Sequence, residues 1–323
     1  MTFQPVFLIS SPRSGSNWTK AALNAHPDIV CTEQRLYGGF FEMWVDDPVT
    51  GRSNPRFTLD RIVDIMSGYN NYPAAAGDLP REELARRMTG RLARSLFELA
   101  HDTSGKRLVV DKLTPYLDSC ATVAEGIRRD FPEARIVYLE RDPRDVLTSG
   151  VFNWLKRRRQ DTEWNPVQRA RHERFVLKRD DVRLDRFFTP DDIAYWVGHW
   201  TGPVDHILPI ADLTLRYETL HGDQAGELKR LFDALGVAGD EAILRGCLEA
   251  SSFARLSGGR SRGQEDPDNP TAMTRKGIVG DWRHYVTRAD GEAIQAHTGE
   301  RLQARGYEAD KGWIKGLPER LAL

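Results

Sequence analysis

Cysteine is scarce: Cys31, Cys120 and Cys247 are the three in 323 residues. An odd, widely spaced set does not build a disulfide scaffold and fits a reducing cytoplasm. There is no CxxC pair, so a structural zinc site has no support in the sequence. Charge of one sign is lacking too. Forty-six basic residues meet 47 acidic ones, for a formal net charge of −1. That balance argues against a general binder of nucleic acid or of an anionic membrane surface. Long hydrophobic runs are missing as well. A secretory leader needs about 7–15 apolar residues in a row and a membrane span about 20, whereas the N-terminal run at 6–9 has four. The chain reads as soluble and cytoplasmic, with no membrane span.

What is present suits a packed globular core: 40% apolar and 29% charged residues. Short apolar runs at 6–9, 29–31, 108–110, 135–139 and 213–216 read as buried strands. Between them, 16–25 reads as a helix with Trp18, Ala21, Ala22 and Ala25 on one face, stopped at His26-Pro27. Residues 81–100 read as an amphipathic helix carrying Leu84, Met88, Leu92, Leu96 and Leu99 at helical spacing. Further helices are expected at 119–129, from Pro143 onward and at 191–210. Alternating strands and helices imply an α/β fold, with a parallel sheet covered on both faces. No repeat or long linker divides the chain, so one domain over 1–323 with insertions is expected.

Three stretches carry chemistry. The first, Ser10-Ser11-Pro12-Arg13-Ser14-Gly15-Ser16-Asn17-Trp18, lies between a strand and a helix N-terminus. Unpaired backbone N–H groups and the helix dipole make such a place an anion site. Gly15 lets the backbone come close, Ser14, Ser16 and Asn17 offer donors, and Arg13 adds a fixed cation. An ordinary capped turn has the same look. The GxxxxGK[ST] pattern of a Walker loop is absent. In the second stretch, from Tyr138 to Ser149, Arg141 stands at a strand end and Ser149 two turns into the following helix, both able to hold an anion. In the third, Arg275-Lys276-Gly277-Ile278-Val279-Gly280-Asp281-Trp282, two cations and two glycines suit a loop closing over an anion.

Together these stretches resemble the sulfotransferase family that uses 3′-phosphoadenosine 5′-phosphosulfate (PAPS). Its PRSGTT loop, which here reads Pro12-Arg13-Ser14-Gly15-Ser16-Asn17, and its YLxRDPRDVxxS and RKGxxGDW segments stand here in the same order across about 270 residues. The resemblance implies a P-loop-type parallel sheet and assigns roles. Arg13, Ser14, Gly15, Ser16 and Asn17 hold the 5′-phosphosulfate. Arg141 and Ser149 hold the 3′-phosphate, with Arg275, Lys276 and Gly277 closing over it. Trp18 and Tyr217, the latter in a strand-end Arg-Tyr-Glu, lie near the adenine. Arg144 and Asp145 are expected to pair in the first helical turn, and Trp282 to be a core aromatic.

Sulfuryl transfer is an in-line displacement that needs an aligned nucleophile and neutralised charge on the leaving oxygen. A sulfuryl group carries less charge than a terminal phosphoryl, so cationic side chains suffice without a metal. A hydroxyl acceptor needs a base. Cytosolic members of the family place a His two residues past a Lys; here Lys112 is followed by Thr114 at that position. Heparan-type and many bacterial members instead use a Glu after a His-Pro-Asp turn, and Glu33 follows His26-Pro27-Asp28 in that register. Glu33 is therefore the expected base, with an ion pair to Arg35 as its plain alternative and His199 in reserve. Lys112 is assigned to the bridging oxygen or the sulfuryl group, with Arg13 assisting.

Acceptor residues are expected at 34–105 and 152–190. The first holds Tyr37, Phe40, Phe41, Trp44, Phe57, Tyr69 and Tyr72, and the second Lys156-Arg157-Arg158-Arg159. The partner expected is a small-molecule or carbohydrate acceptor, not nucleic acid. Two rivals remain: a P-loop nucleotide kinase, and a protein that binds PAPS or its product adenosine 3′,5′-bisphosphate (PAP) without turnover.

Overall fold

Apolar side chains on alternate residues of a strand must be covered from both sides, and the chain meets this demand with a central sheet. A computed structural model describes residues 3–33, 36–38, 63, 79–115, 119–157, 164–266, 269, 272 and 274–322. Five strands, β1 (Gln4–Ser10), β2 (Ile29–Glu33), β3 (Leu108–Leu113), β4 (Arg135–Glu140) and β5 (Leu213–Arg216), form one sheet in the order β2-β3-β1-β4-β5. Every pairing is parallel. The expected P-loop-type α/β sheet is the one observed. Among the described residues eight helices have ten residues or more: α1 (Ser16–Ala25), α2 (Arg81–Ser104), α3 (Cys120–Asp130), α4 (Pro143–Arg157), α5 (Pro190–His206), α6 (Gln224–Leu235), α7 (Glu241–Ala250) and α8 (Arg288–Thr298).

Strand periodicity sorts the core into layers. Phe7, Ile9, Val109 and Ile136 meet α2 and α3 on one face. Val6, Leu8, Val110 and Leu139 meet α1 and α6 on the other. A third cluster, built by α4, α5 and the C-terminal segment, includes Trp282. That residue is a core aromatic, as expected, and the Arg144 guanidinium lies 3.8 Å from its ring centre.

Two helix faces differ from their sequence reading. In α1 the buried residues are Ser16, Thr19, Ala22 and Leu23. Trp18 instead turns edge-on to Tyr217, with ring centres 5.6 Å apart. In α2 the buried line is Leu84, Ala85, Thr89, Ala93 and Phe97, while Leu92 and Leu99 are exposed. Small residues let the helix lie close to the sheet, and that contact outweighs the leucine stripe. Arg144 does not pair with Asp145 either. It binds Asp142 at 2.7 Å and Glu308, because Asp145 faces the segment at 280–282.

Candidate active site

A parallel sheet collects its strand ends along one edge, and ligands settle where the chain changes direction across it. Here that point is the C-terminal end of β1. The loop to α1 holds Arg13 at φ 65° and Gly15 at φ 90°. Two left-handed residues so close together make a concave run of backbone N–H groups. No acidic residue occupies the first turn of α1, and Gly15 has no side chain to cap it. A Cβ at Gly15 would stand 2.6 Å from Tyr217 Cδ2, so glycine is required there twice, by conformation and by space. The Ser14 hydroxyl and the Trp18 indole N–H are buried with no partner among the described residues.

Beside the loop, Thr32 Oγ1 and the backbone N–H groups of Tyr37 and Gly38 all donate to Asp111. That carboxylate fixes the exit of β2 and so fixes Glu33. Glu33 and Lys112 are register partners on β2 and β3. Glu33 Oε1 accepts from Lys112 Nζ at 2.9 Å, and Oε2 from Lys20 Nζ at 2.6 Å. Lys112 also donates to Asn17 Oδ1 at 2.7 Å, which ties the pair to the β1–α1 loop. Burial pushes the Glu33 carboxyl up, but the hydrogen bonds and charges of Lys20 and Lys112 outweigh it and hold the group down at about 2. Burial lowers the Lys112 pKa despite its carboxylate partner.

On the other side of β1, Arg141 leaves β4. It donates to Arg13 O at 3.0 Å and Ile278 O at 3.2 Å, and its Cζ stands 4.1 Å over the Tyr217 ring. Its Nε is buried without a partner among the described residues. Arg13 Nε donates to Ser149 Oγ at 3.1 Å. The segment at 274–282 is latched by Asp145, which accepts from Gly280 N at 2.8 Å and Trp282 N at 3.1 Å. Arg275 pairs with Asp281 and with Glu265 at 2.8 Å, and Lys276 with the same two carboxylates at 3.1 and 3.0 Å. Burial raises the Asp281 pKa, and the two cations more than reverse it.

These elements enclose a cavity of about 260 Å³. Of the residues nominated from sequence, Arg13, Gly15, Ser16, Asn17, Trp18, Arg141, Ser149, Tyr217, Arg275, Lys276 and Gly277 line it. Ser14, within the loop, is fully buried and is not among the lining residues, nor are Glu33 and Lys112, which reach the loop at Asn17. The sulfotransferase family model matches residues 5–241.

The chain belongs to the sulfotransferase family.

This sulfotransferase is 24% identical to mouse sulfotransferase 2A6 over 302 residues, covering 90% of this chain and 81% of that one. It is 24% identical to rat sulfotransferase 2A2 over 309 residues, covering 92% and 84%. Its fold resembles that of the sulfotransferase domain of the Synechococcus PCC 7002 olefin synthase, with TM-score 0.51, 20% identity and 95% and 96% of the two chains covered. Mouse SULT7A1 complexed with PAP gives TM-score 0.50 at 18% identity, covering 97% and 88%.

Sequence reasoning missed Lys20, Phe253, Arg262 and Thr148. Lys20 meets Glu33 only because α1 packs beside β2. Phe253 and Arg262 line the cavity from a polar stretch; an isolated aromatic ahead of a Gly-rich segment was the available signal. His199 lies in α5, its Nδ1 donating to Tyr195 O at 2.7 Å, and is not among the cavity residues. Tyr37, expected on the acceptor side, is fully buried against Phe7 and Phe131. Arg35, Phe40, Phe41, Trp44, Phe57, Tyr69, Tyr72 and the side chains of Lys156 to Arg159 lie outside the described residues. No described helix is long and apolar enough to cross a membrane.

Proposed function

We propose that this sulfotransferase moves the sulfuryl group of PAPS to a hydroxyl or amine of a small-molecule or carbohydrate acceptor, with Glu33 as general base. The observation that carries the reading is the Glu33–Lys112 pair, tied through Asn17 to the anion loop. The donor set fits a doubly phosphorylated nucleoside: a left-handed loop with an unpartnered Ser14 hydroxyl at one end, and Arg141 with an unpartnered Nε at the other. That mouse SULT7A1 was solved with PAP supports the same assignment. When bound, PAPS supplies the sulfuryl group, with PAP as the leaving group.

The residues then divide the work. Ser14, Gly15, Ser16 and Asn17 bind the 5′ end, while Arg13 both borders it and holds Ser149. Arg141, Ser149, Lys276 and Gly277 hold the 3′-phosphate, with Arg275 positioned by Asp281. Trp18, Tyr217 and Phe253 offer flat surfaces to the base. Glu33, ionised at neutral pH, takes the acceptor proton on a carboxylate oxygen. Lys112 stands between Glu33 and Asn17 and neutralises charge on the leaving oxygen. No metal is assigned a role.

We place the chain, read as one sulfotransferase domain over 1–323, in the cytoplasm; its three buried free thiols suit a reducing compartment. Segments 34–105 and 152–190 are assigned to the acceptor side, although α2 within the first also packs against the sheet. The test is an acceptor screen with radiolabelled PAPS and the Glu33→Gln variant. Labelled product from the native chain and none from the variant supports the proposal. Turnover by Glu33→Gln removes Glu33 as base. PAP binding without product from any acceptor favours a protein that binds without turnover.

A further inference from the structure

Thr274, Arg275, Lys276 and Gly277 all line the cavity, the last with no side chain to offer. Its four consecutive carbonyls all have donors. Arg260 Nη2 donates to Thr274 O at 2.7 Å, and Arg260 Nη1 to Arg275 O at 2.7 Å. Gly263 N donates to Lys276 O at 2.8 Å. Arg262 Nη1 and the His221 ring meet Gly277 O at 2.9 and 3.0 Å. Apart from His221, every donor comes from residues 260–263.

In a trans peptide the C=O of one residue and the N–H of the next point to opposite sides. Drawing these four oxygens toward 260–263 therefore turns the N–H groups of Arg275, Lys276, Gly277 and Ile278 the other way. Among the described residues those four N–H groups donate to no protein acceptor. A carbonyl left free to rotate would bring negative charge to a site meant for an anion.

Arg260 does the most here. Its remaining bonds go to Ser257 O at 3.2 Å and Gln264 O at 3.1 Å, so its planar fork is filled by carbonyls. It makes no ion pair among the described residues, whereas Arg275 and Lys276 beside it are matched by Asp281 and Glu265.

We infer that Arg260 is a positioning residue for the 3′-phosphate: by gathering the carbonyls of Thr274 and Arg275, with Gly263 and Arg262 extending the row, it presents the amides at 275–278 to that phosphate. The inference rests on the reading of the cavity as a PAP site and adds to it a residue outside the three family-like stretches.

The experiment measures dissociation constants for PAP and for adenosine 5′-monophosphate, which lacks the 3′-phosphate, by calorimetry on the full chain and its variants. Arg260→Met is expected to weaken PAP about tenfold or more and to leave the monophosphate within about twofold. Arg260→Lys, which keeps the charge but not the fork, is expected to lose the preference as well. Equal weakening of both ligands marks a general structural role and overturns the inference. So does a full preference in Arg260→Lys, since charge alone then suffices. If Arg260→Met no longer binds the monophosphate, the lysine variant decides by the same ratio. Arg141→Met serves as the separate control: if it keeps the native preference, the placement of the 3′-phosphate itself fails, whatever Arg260 does.

Discussion

Glu33 and Lys112 lie side by side on adjacent parallel strands, with Oε1 and Nζ 2.9 Å apart. A carboxylate and a cation are thereby set at a fixed separation by sheet register and not by loop conformation. The same arrangement makes each group answer for the other's charge.

Glu33→Gln should lower kcat by about 10²–10⁴-fold, the usual contribution of a general base. PAP affinity should stay within a few-fold, because Glu33 does not line the cavity proposed to hold it. Steady-state kinetics with calorimetry checks both. A variant with near-native kcat refutes the assignment.

The pH dependence has a definite sign. The Glu33 pKa is depressed to about 2, below the ordinary carboxylate value, so Glu33 is ionised throughout the neutral range. Its ion pairs stabilise the fold above the ordinary value and are lost as pH falls toward 2. The native pH–rate profile should therefore show no acid limb from Glu33 above about pH 4. Lys20→Met removes one cation, so the pKa should rise and an acid limb should enter the measurable range. Profiles of kcat/KM for the two proteins decide it; an unchanged limb contradicts the role given to Lys20.

Gly15→Ala should cost about 1–3 kcal/mol of stability, since it forces a left-handed residue and a Cβ against the Tyr217 ring. Thermal denaturation measures the loss. PAP affinity should drop with it, because both strains act on the anion loop.

Asp145→Ala strips the Gly280 and Trp282 N–H groups of their buried acceptor. Leaving them unpaired should cost about 1–3 kcal/mol each at most. Faster amide exchange at 280–282, read by mass spectrometry, would show the segment released from α4. Exchange at the native rate would mean that other contacts hold it.

Much of the fold was legible because parallel strands buried on both faces announce themselves as apolar runs. All five lie where the runs at 6–9, 29–31, 108–110, 135–139 and 213–216 put them. The helix faces were less legible. Leu92 and Leu99 suit a buried stripe in isolation, but Ala85 and Ala93 allow closer packing and win. At the site, three contiguous motifs carried most of the residues that line the cavity, since backbone loops leave a local signature. Lys20 and Arg260 left none. Their partners lie across a strand or a turn, and only the folded chain brings Lys20 to Glu33 or Arg260 to the carbonyls at 274–275. The expected Arg144–Asp145 pair failed for the same reason: Asp145 found backbone N–H groups 135 and 137 positions away.

The strand order β2-β3-β1-β4-β5 sets Glu33 at one margin and Tyr217 just past the other, with the loop that follows β1 at the centre. Strands lie about 4.8 Å apart, so the row spans roughly 19 Å. Side chains fold back over that span, Tyr217 against Gly15 and Lys112 onto Asn17, so on the proposed function the donor's base lies on the β5 side of the loop and its sulfuryl end on the β2 side.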